Sequence, residues 1–175
     1  MSGSTVLSFA RTHLGLPVGR GECWDLANEA LRSGGDKTSS DYGPVGPTTD
    51  YIWGRVISQA ELQPGDIIQF RTYHYRMDES RTHPDGSADT SFEEQDRNHH
   101  TAIVDSVGAE GRVTVYEQNF EGVRRVAQNT LRLAPSSTES RVHEGRETVT
   151  VRRTITVAGS WTCYRPEPRA TSVVP

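Results

Sequence analysis

The sequence predicts an α+β fold in which two N-terminal helices precede an antiparallel β-sheet. Apolar residues at helical spacing occur within residues 4–32. From residue 67 onward, β-branched residues cluster in short runs, separated by turns that contain Gly or Pro. Because helices followed by a series of strands are typical of the α+β class, the order of these segments carries the fold prediction.

Two short helices are predicted near the N-terminus. The first begins at Ser4 and ends before Gly15, and its apolar residues follow helical spacing: Val6, Leu7, Ala10 and Leu14. A tight loop leads to the second helix, which begins at Cys23, runs to about residue 32 and ends at the glycine pair 34–35. We expect the two helices to be close neighbours.

Strands are predicted over six stretches: 67–75, 100–107, 112–119, 123–133, 147–157 and 161–164. The clearest pair is the hairpin formed by 100–107 and 112–119, whose four-residue loop contains two glycines. Polar, turn-rich sequence predicts loops at 36–50 and 135–145.

Residues 74–98 carry many charges and almost no apolar periodicity, which predicts an inserted loop or mobile lid. The length of 175 residues suits one domain. We therefore expect a single domain over residues 1–166, with the lid at 74–98 and a flexible C-terminal tail at 167–175.

The composition excludes several classes of partner. The net charge of −4 has acids and bases interspersed, so the sequence contains no basic stripe for a nucleic acid. No apolar run approaches the roughly 18 residues of a membrane span, and the N-terminus lacks the features of a signal peptide. We expect a cytoplasmic protein, with export by a non-Sec route left open. Two cysteines, Cys23 and Cys163, are too few for a disulfide scaffold, although a single bridge between them stays open.

Cys23 is the first candidate for chemistry because it lies at the beginning of the second predicted helix. Free backbone N–H groups and the helix dipole favour the thiolate at this end of a helix. A buried, unreactive cysteine is the alternative. A free cysteine has a pKa of about 8.5, so a reactive thiol needs further help, such as a neighbouring imidazolium.

The predicted hairpin brings a base and two polar side chains together. If Val107 pairs with Arg112, antiparallel register places His100 opposite Asn119, with Glu117 diagonally adjacent. A slip of one residue would separate these groups onto opposite faces of the sheet. If the second helix packs across this face, its thiol can reach the imidazole, as an activated nucleophile requires.

The other histidines are weaker candidates. His99 points to the opposite face of the strand from His100, so His100 is the preferred base. Histidines 74, 83, 99 and 100 match no zinc spacing and no paired cysteines accompany them, so no metal and no cofactor is expected. Trp24 and Trp53 are candidates for the wall of a substrate groove, with positions in the core as the alternative.

Four segments in order along the chain carry a family resemblance: GECW at 21–24, LQPGDIIQF at 62–70, HTAIV at 100–104 and EQN at 117–119. Together with CYRP at 163–166, they resemble the CHAP family of cysteine- and histidine-dependent amidohydrolases and peptidases, over about residues 5–166. The resemblance extends more loosely to NlpC-type peptidases and to the papain-like fold. The form GECWDL at 21–26 is also similar to a related domain in some fungal cortical proteins.

The resemblance implies a papain-like domain in which Cys23 is the nucleophile, His100 the base and acid, Glu117 the orienter of the imidazole, and Asn119 its neighbour. It implies cleavage of an amide bond, in peptidoglycan or a peptide, without a cofactor. Many members have Gln before the cysteine, where the amide donates to the oxyanion, whereas this chain has Glu22, which cannot donate when ionised. The alternative is therefore a catalytically silent papain-like module that binds a protein or peptide partner in the same groove.

Overall fold

The computed structural model describes residues 2–170. It contains two α-helices, α1 at Ser2–Thr12 and α2 at Cys23–Gly34. Seven strands follow: β1, Arg55–Ile57; β2, Ile67–Thr82; β3, Ala88–Val107; β4, Arg112–Glu117; β5, Ala127–Arg132; β6, Ser136–Glu144; and β7, Glu147–Arg165. Among the described residues, no helix is long and apolar enough to cross a membrane.

The predicted α+β class is wrong. Strands account for roughly three times as many residues as the two α-helices, and the strand pairings are antiparallel. The chain is therefore a mainly antiparallel β structure with two short helices. Two stretches that were predicted as loops, 74–98 and 135–145, lie largely within strands and account for most of the difference.

The segment 74–98 forms the far halves of β2 and β3, which pair with each other up to the turn that joins them. Arg76 lies opposite Glu94 in this pairing, and their side chains form an ion pair at 3.3 Å. Tyr75 and Met77 pack into the hydrophobic core from the other face of β2. Cross-strand charge pairs stabilise this hairpin. The lack of apolar periodicity over the segment therefore did not predict its strand structure.

The strands form one sheet in the order β1-β7-β2-β3-β4-β5, with β6 pairing on β7. β7 runs without a break through the region between the two predicted strands 147–157 and 161–164. Gly159, with φ 93°, lies against the Thr72 carbonyl where a Cβ would not fit, next to a register shift in the β2–β7 pairing. The glycine therefore allows a bulge in the sheet without ending the strand.

Two hydrophobic clusters form the core. The first joins side chains of both helices to the sheet through Ile67, Ile103 and Tyr116. The second includes Ala102 and Val104 and contains no helical residue. Because side chains alternate along β3, these two clusters lie on opposite faces of the sheet, and residues at 100, 102 and 104 share the face without the helices.

The described part of the predicted tail is held against the chain after α2. The backbone N–H of Lys37 donates to the Glu167 carbonyl at 2.8 Å, and Arg169 forms an ion pair with Asp41 at 2.7 Å. Residues 171–175, the remainder of the predicted flexible tail, lie outside the described residues.

Candidate functional site

A glycine-rich loop positions Cys23 as the first residue of α2. Gly19 and Gly21 both have positive φ, 57° and 88°, which allows the tight path into the helix. The Asp25 carboxylate accepts hydrogen bonds from the backbone N–H groups of residues 20 and 22, at 2.8 and 3.1 Å. This loop therefore holds the partly exposed thiol at the positive end of the helix dipole.

The predicted register of the β3–β4 hairpin is confirmed only up to the end of β4 at Glu117, so the predicted pairing of His100 with Asn119 is not formed. Ala102 lies opposite Glu117, which is the predicted alignment. At the turn, however, Val107 lies opposite Val113 instead of Arg112, and a β-bulge within β3 compensates for this difference of one residue. The bulge is what brings the side chains at 100 and 117 to the same face.

The imidazole of His100 lies between the thiol of Cys23 and the carboxylate of Glu117. His100 Nε2 is 3.0 Å from Glu117 Oε2. Within the described chain, Nε2 has no partner aligned for a hydrogen bond, so this contact is an ion pair. Burial lowers the pKa of His100, but the contacts with Cys23 and Glu117 outweigh burial and raise the pKa to about 9.

Cys23 shares a hydrogen bond with His100. The two residues meet although α2 packs on the face of the sheet that carries Ile103, which is the face opposite to that of His100. Burial raises the pKa of the thiol, but the hydrogen bond and charge of His100 outweigh it, so the pKa lies below its ordinary value. The geometry and charges together favour a thiolate–imidazolium pair, the form in which a cysteine is nucleophilic.

Arg97 is a member of the site that the sequence analysis missed, because it lay in the segment predicted as a lid. Its guanidinium donates to both carboxylate oxygens of Glu117, at 2.9 and 2.6 Å, and both side chains are fully buried. Asn129 donates a further hydrogen bond to Glu117 Oε1 at 2.7 Å. No local sequence signal marks Arg97, since only the pairing of β2 with β3 places it here.

The side chain of Asn119 forms its described hydrogen bond with Glu22 and not with the His100 imidazole. Asn119 adopts a left-handed backbone conformation with φ 60°, and its side-chain amide donates to Glu22 Oε2 at 2.6 Å. Glu22 Oε1 also forms an ion pair with Arg124 at 3.1 Å. The sequence analysis singled out both Asn119 and Glu22 but did not predict that they bind each other.

Gln118 is a second residue that the sequence analysis did not assign. It is fully buried, accepts a hydrogen bond from Val18 N–H at 2.8 Å, and donates to the Val18 and Glu22 carbonyls. It therefore joins the end of β4 to the loop that carries Cys23.

The thiol opens into a cleft of about 510 Å³. Apolar groups form part of its lining: Trp24, Val45, Pro47 and Tyr51. Polar groups complete it: Arg20, Glu22, His99, His100 and Asn119. Of the two tryptophans considered for a groove wall, Trp24 lines the cleft and Trp53 is buried in the core. The lining of the cleft therefore combines apolar and charged groups with Cys23 and His100.

Comparison with known protein families shows which family contains this chain. Residues 1–135 match the family described as the AIM3/BBC1 cysteine proteinase-fold domain. The chain belongs to this family. The matched residues include Cys23, Arg97, His100, Glu117 and Asn119, and exclude β6 and β7. No curated protein and no solved structure matches the chain.

Membership of the AIM3/BBC1 family supports the papain-like part of the predicted resemblance and does not support the narrower CHAP or NlpC family. In this AIM3/BBC1 domain, Cys23 and Cys163 are both free, so the disulfide that the sequence left open is not formed. Burial raises the pKa of Cys163 to about 11, which makes it the less reactive thiol. Among residues 2–170, no group of three or more His, Cys, Asp or Glu side chains is arranged to hold a metal ion.

Proposed function

We propose that the chain is a papain-like module that binds a protein or peptide segment in the cleft at Cys23 without efficient hydrolysis. The observation that carries this proposal is the Glu22 carboxylate, which lines the cleft immediately before Cys23 and accepts the amide hydrogen bond of Asn119.

Amide hydrolysis by a thiolate creates an oxyanion, which hydrogen-bond donors must stabilise. Where the CHAP resemblance implies a Gln amide, this chain has the carboxylate of Glu22, which accepts hydrogen bonds and repels an oxyanion. Asn119 directs its amide to Glu22 and not to the space above Cys23. Loss of one oxyanion donor costs about 10²–10³ in kcat in a well-characterised protease, so these features together favour slow turnover or none.

The cleft itself supports binding of an extended segment. Its volume of about 510 Å³ lies within the range of ligand pockets. Trp24 and Tyr51 offer aromatic surface for an apolar side chain, and Tyr51 holds the neighbouring loop by donating to the Gly46 carbonyl at 3.2 Å. We therefore expect a ligand that places an apolar side chain against this wall.

The test measures turnover and binding with the same chain. For turnover, a fluorogenic peptide library and cross-linked peptidoglycan fragments are incubated with wild type, Cys23→Ala, Glu22→Gln and the control Glu110→Gln, which changes an exposed turn residue. We expect wild type and the control to show no turnover above the Cys23→Ala background, and Glu22→Gln to exceed that background at least tenfold. Turnover by wild type that disappears in Cys23→Ala would overturn the proposal.

For binding, the wild-type chain is applied to an array of peptides of varied sequence. We expect wild type to retain a subset of peptides, and Trp24→Ala to lose at least tenfold in affinity for them. Trp161→Ala is the matched control, since Trp161 packs against the second cluster, away from the cleft. An array on which no peptide distinguishes wild type from Trp24→Ala would contradict a role for this cleft in peptide binding.

A second candidate is an amide hydrolase, and the Cys23–His100–Glu117 geometry favours it. In that case the Cys23 thiolate attacks the amide carbonyl, and His100 transfers its proton to the leaving amine. Water then hydrolyses the thioester to a carboxylic acid and regenerates the thiol. The turnover experiment separates the two candidates, because only the hydrolase predicts Cys23-dependent product from wild type.

A further inference from the structure

Arg97 is buried behind the site and does not line the cleft, yet it contacts the same carboxylate as His100. Its guanidinium takes both oxygens of Glu117, and it also lies over the ring of Phe120, 4.2 Å from the centroid. The Phe120 ring in turn makes an edge contact with the His100 imidazole at 6.3 Å. The contacts that hold Arg97 involve Glu117 and Phe120, which do not line the cleft.

Four groups form a line of alternating charge when the thiol is ionised: Arg97, Glu117, His100 and Cys23. The carboxylate in this line can neutralise either cation. Arg97 donates two of the three aligned hydrogen bonds that Glu117 accepts, and Asn129 donates the third. The contact with His100 is an unaligned ion pair, so Arg97 is the better-aligned of the two cations. The imidazolium is left to be neutralised by the thiolate.

Four other titratable or charged groups line the cleft with the Cys23–His100 pair: Arg20, Glu22, Tyr51 and His99. Tyr73 lies on the other side of the site, where it interacts with Arg97 and Glu117. Glu22 is already paired with Arg124 and Asn119, and Tyr73 donates its hydroxyl to the Arg132 carbonyl. None of these groups contacts the Glu117 carboxylate among the described hydrogen bonds and ion pairs. Among the described contacts, the cations that reach this carboxylate are therefore Arg97 and His100, and Asn129 is a neutral donor to it.

We propose that Arg97 is a positioning residue that, by occupying Glu117, leaves the His100 imidazolium to pair with the Cys23 thiolate. The proposal does not depend on whether the module binds or hydrolyses its ligand, since it concerns the state of the thiol alone. Without Arg97, Glu117 neutralises His100 directly, and the thiolate loses the benefit of that positive charge.

The test is the pH dependence of alkylation of Cys23 by iodoacetamide, followed on the Cys23 peptide by mass spectrometry. Buried Cys163 in the same sample is the internal reference for unfolding. The titration of the His100 imidazole is followed by NMR. The variants are Arg97→Met, Glu117→Gln, and the double variant Arg97→Met/Glu117→Gln, which removes both buried charges together.

We expect Arg97→Met to raise the apparent pKa of Cys23 and that of His100, each by about one unit, because a positive charge is removed from both. At a pH below the wild-type pKa of Cys23, alkylation slows by roughly tenfold, because the fraction of thiolate falls by that factor. In the double variant the removed charges have opposite sign, so the apparent pKa of Cys23 returns toward that of wild type. A structural role for Arg97 alone would not predict this recovery.

An unchanged pKa of Cys23 in a folded Arg97→Met would overturn the proposal, as would a double variant in which the pKa stays raised. If alkylation of Cys163 shows that Arg97→Met does not fold, the comparison is made with Arg97→Lys, which keeps the charge but cannot bind both oxygens at once. In that variant we expect a smaller rise in the pKa of Cys23, and a pKa equal to that of wild type would overturn the proposal.

Discussion

Two sets of ion pairs in this molecule use the same residue types in opposite surroundings. At the site, Arg97 and Glu117 are fully buried and bind through two hydrogen bonds. On the far part of the sheet, Arg152 and Glu139 lie opposite each other on β7 and β6 at a similar distance of 2.7 Å, but their side chains are 67% and 53% exposed. Distance alone therefore does not rank these two pairs in strength, because water screens the second pair and is excluded from the first.

The largest expected effect comes from removing one partner of the buried pair. Glu117→Gln leaves Arg97 charged, buried and unpaired, which costs about 3–5 kcal/mol in the free energy of unfolding. Urea denaturation followed by circular dichroism measures the loss. In the double variant Arg97→Met/Glu117→Gln, we expect much of this stability to return, since no charge remains buried without a partner. A single variant as stable as wild type would remove the contrast between the two pairs.

The stability of the protein should also depend on pH through the site. Burial opposes ionisation of Glu117, but His100 and Arg97 outweigh it and lower the pKa to about 2, so its contribution is present above about pH 4.3 and is lost as the pH falls toward 2. His100, with its pKa raised to about 9, contributes fully below about pH 6.5 and loses that contribution as the pH rises through 9. Urea midpoints should therefore be highest near pH 5–6.5. The acid loss should be smaller in the double variant, which lacks the carboxylate.

Two histidines allow a direct comparison of the regions by NMR. A hydrogen bond to Asp89 is the main cause that raises the pKa of His83, which is partly exposed on the far hairpin, whereas the pKa of His100 is raised within a buried site. We expect His100 to titrate near pH 9 and His83 at a lower pH. Addition of 0.5 M salt should lower the pKa of His83 and leave that of His100 nearly unchanged, because salt screens exposed charges more strongly. Equal salt sensitivity of the two would contradict the burial of the site.

The smallest expected effect comes from the exposed pair. Arg152→Gln should change the free energy of unfolding by less than about 1 kcal/mol, because exposed ion pairs are weak. The same urea denaturation measures it, with the reactivity of Cys23 as a second measurement that should not change. A loss as large as that of Glu117→Gln would show that the far sheet depends on its charges as strongly as the site does.

Local sequence predicted the site better than it predicted the fold. The start of α2 at Cys23 followed from glycines before the helix and apolar spacing within it, both of which act over a few residues. The alignment of His100 with Glu117 followed from the strand period of two, although the turn was misjudged by one residue and the bulge in β3 compensated for it. The helix start depends on neighbours in the chain, whereas the shared face of His100 and Glu117 also depends on the bulge in β3, which the sequence analysis did not predict.

The remaining features of the fold and the site depend on contacts between segments that are distant in the chain. The far halves of β2 and β3 have weak apolar alternation because charge pairs between strands stabilise them, and such pairs cannot be assigned before the partner strand is known. Arg97 enters the site through that pairing, and Asn119 meets Glu22 across 97 residues of chain. The position of the thiol at the helix N-terminus follows from local sequence, whereas the face shared by His100 and Glu117 requires the bulge in β3 as well. Contacts between distant segments set the rest of the site. They pair Arg97 with Glu117, and they place the Asn119 amide against Glu22 beside the thiol.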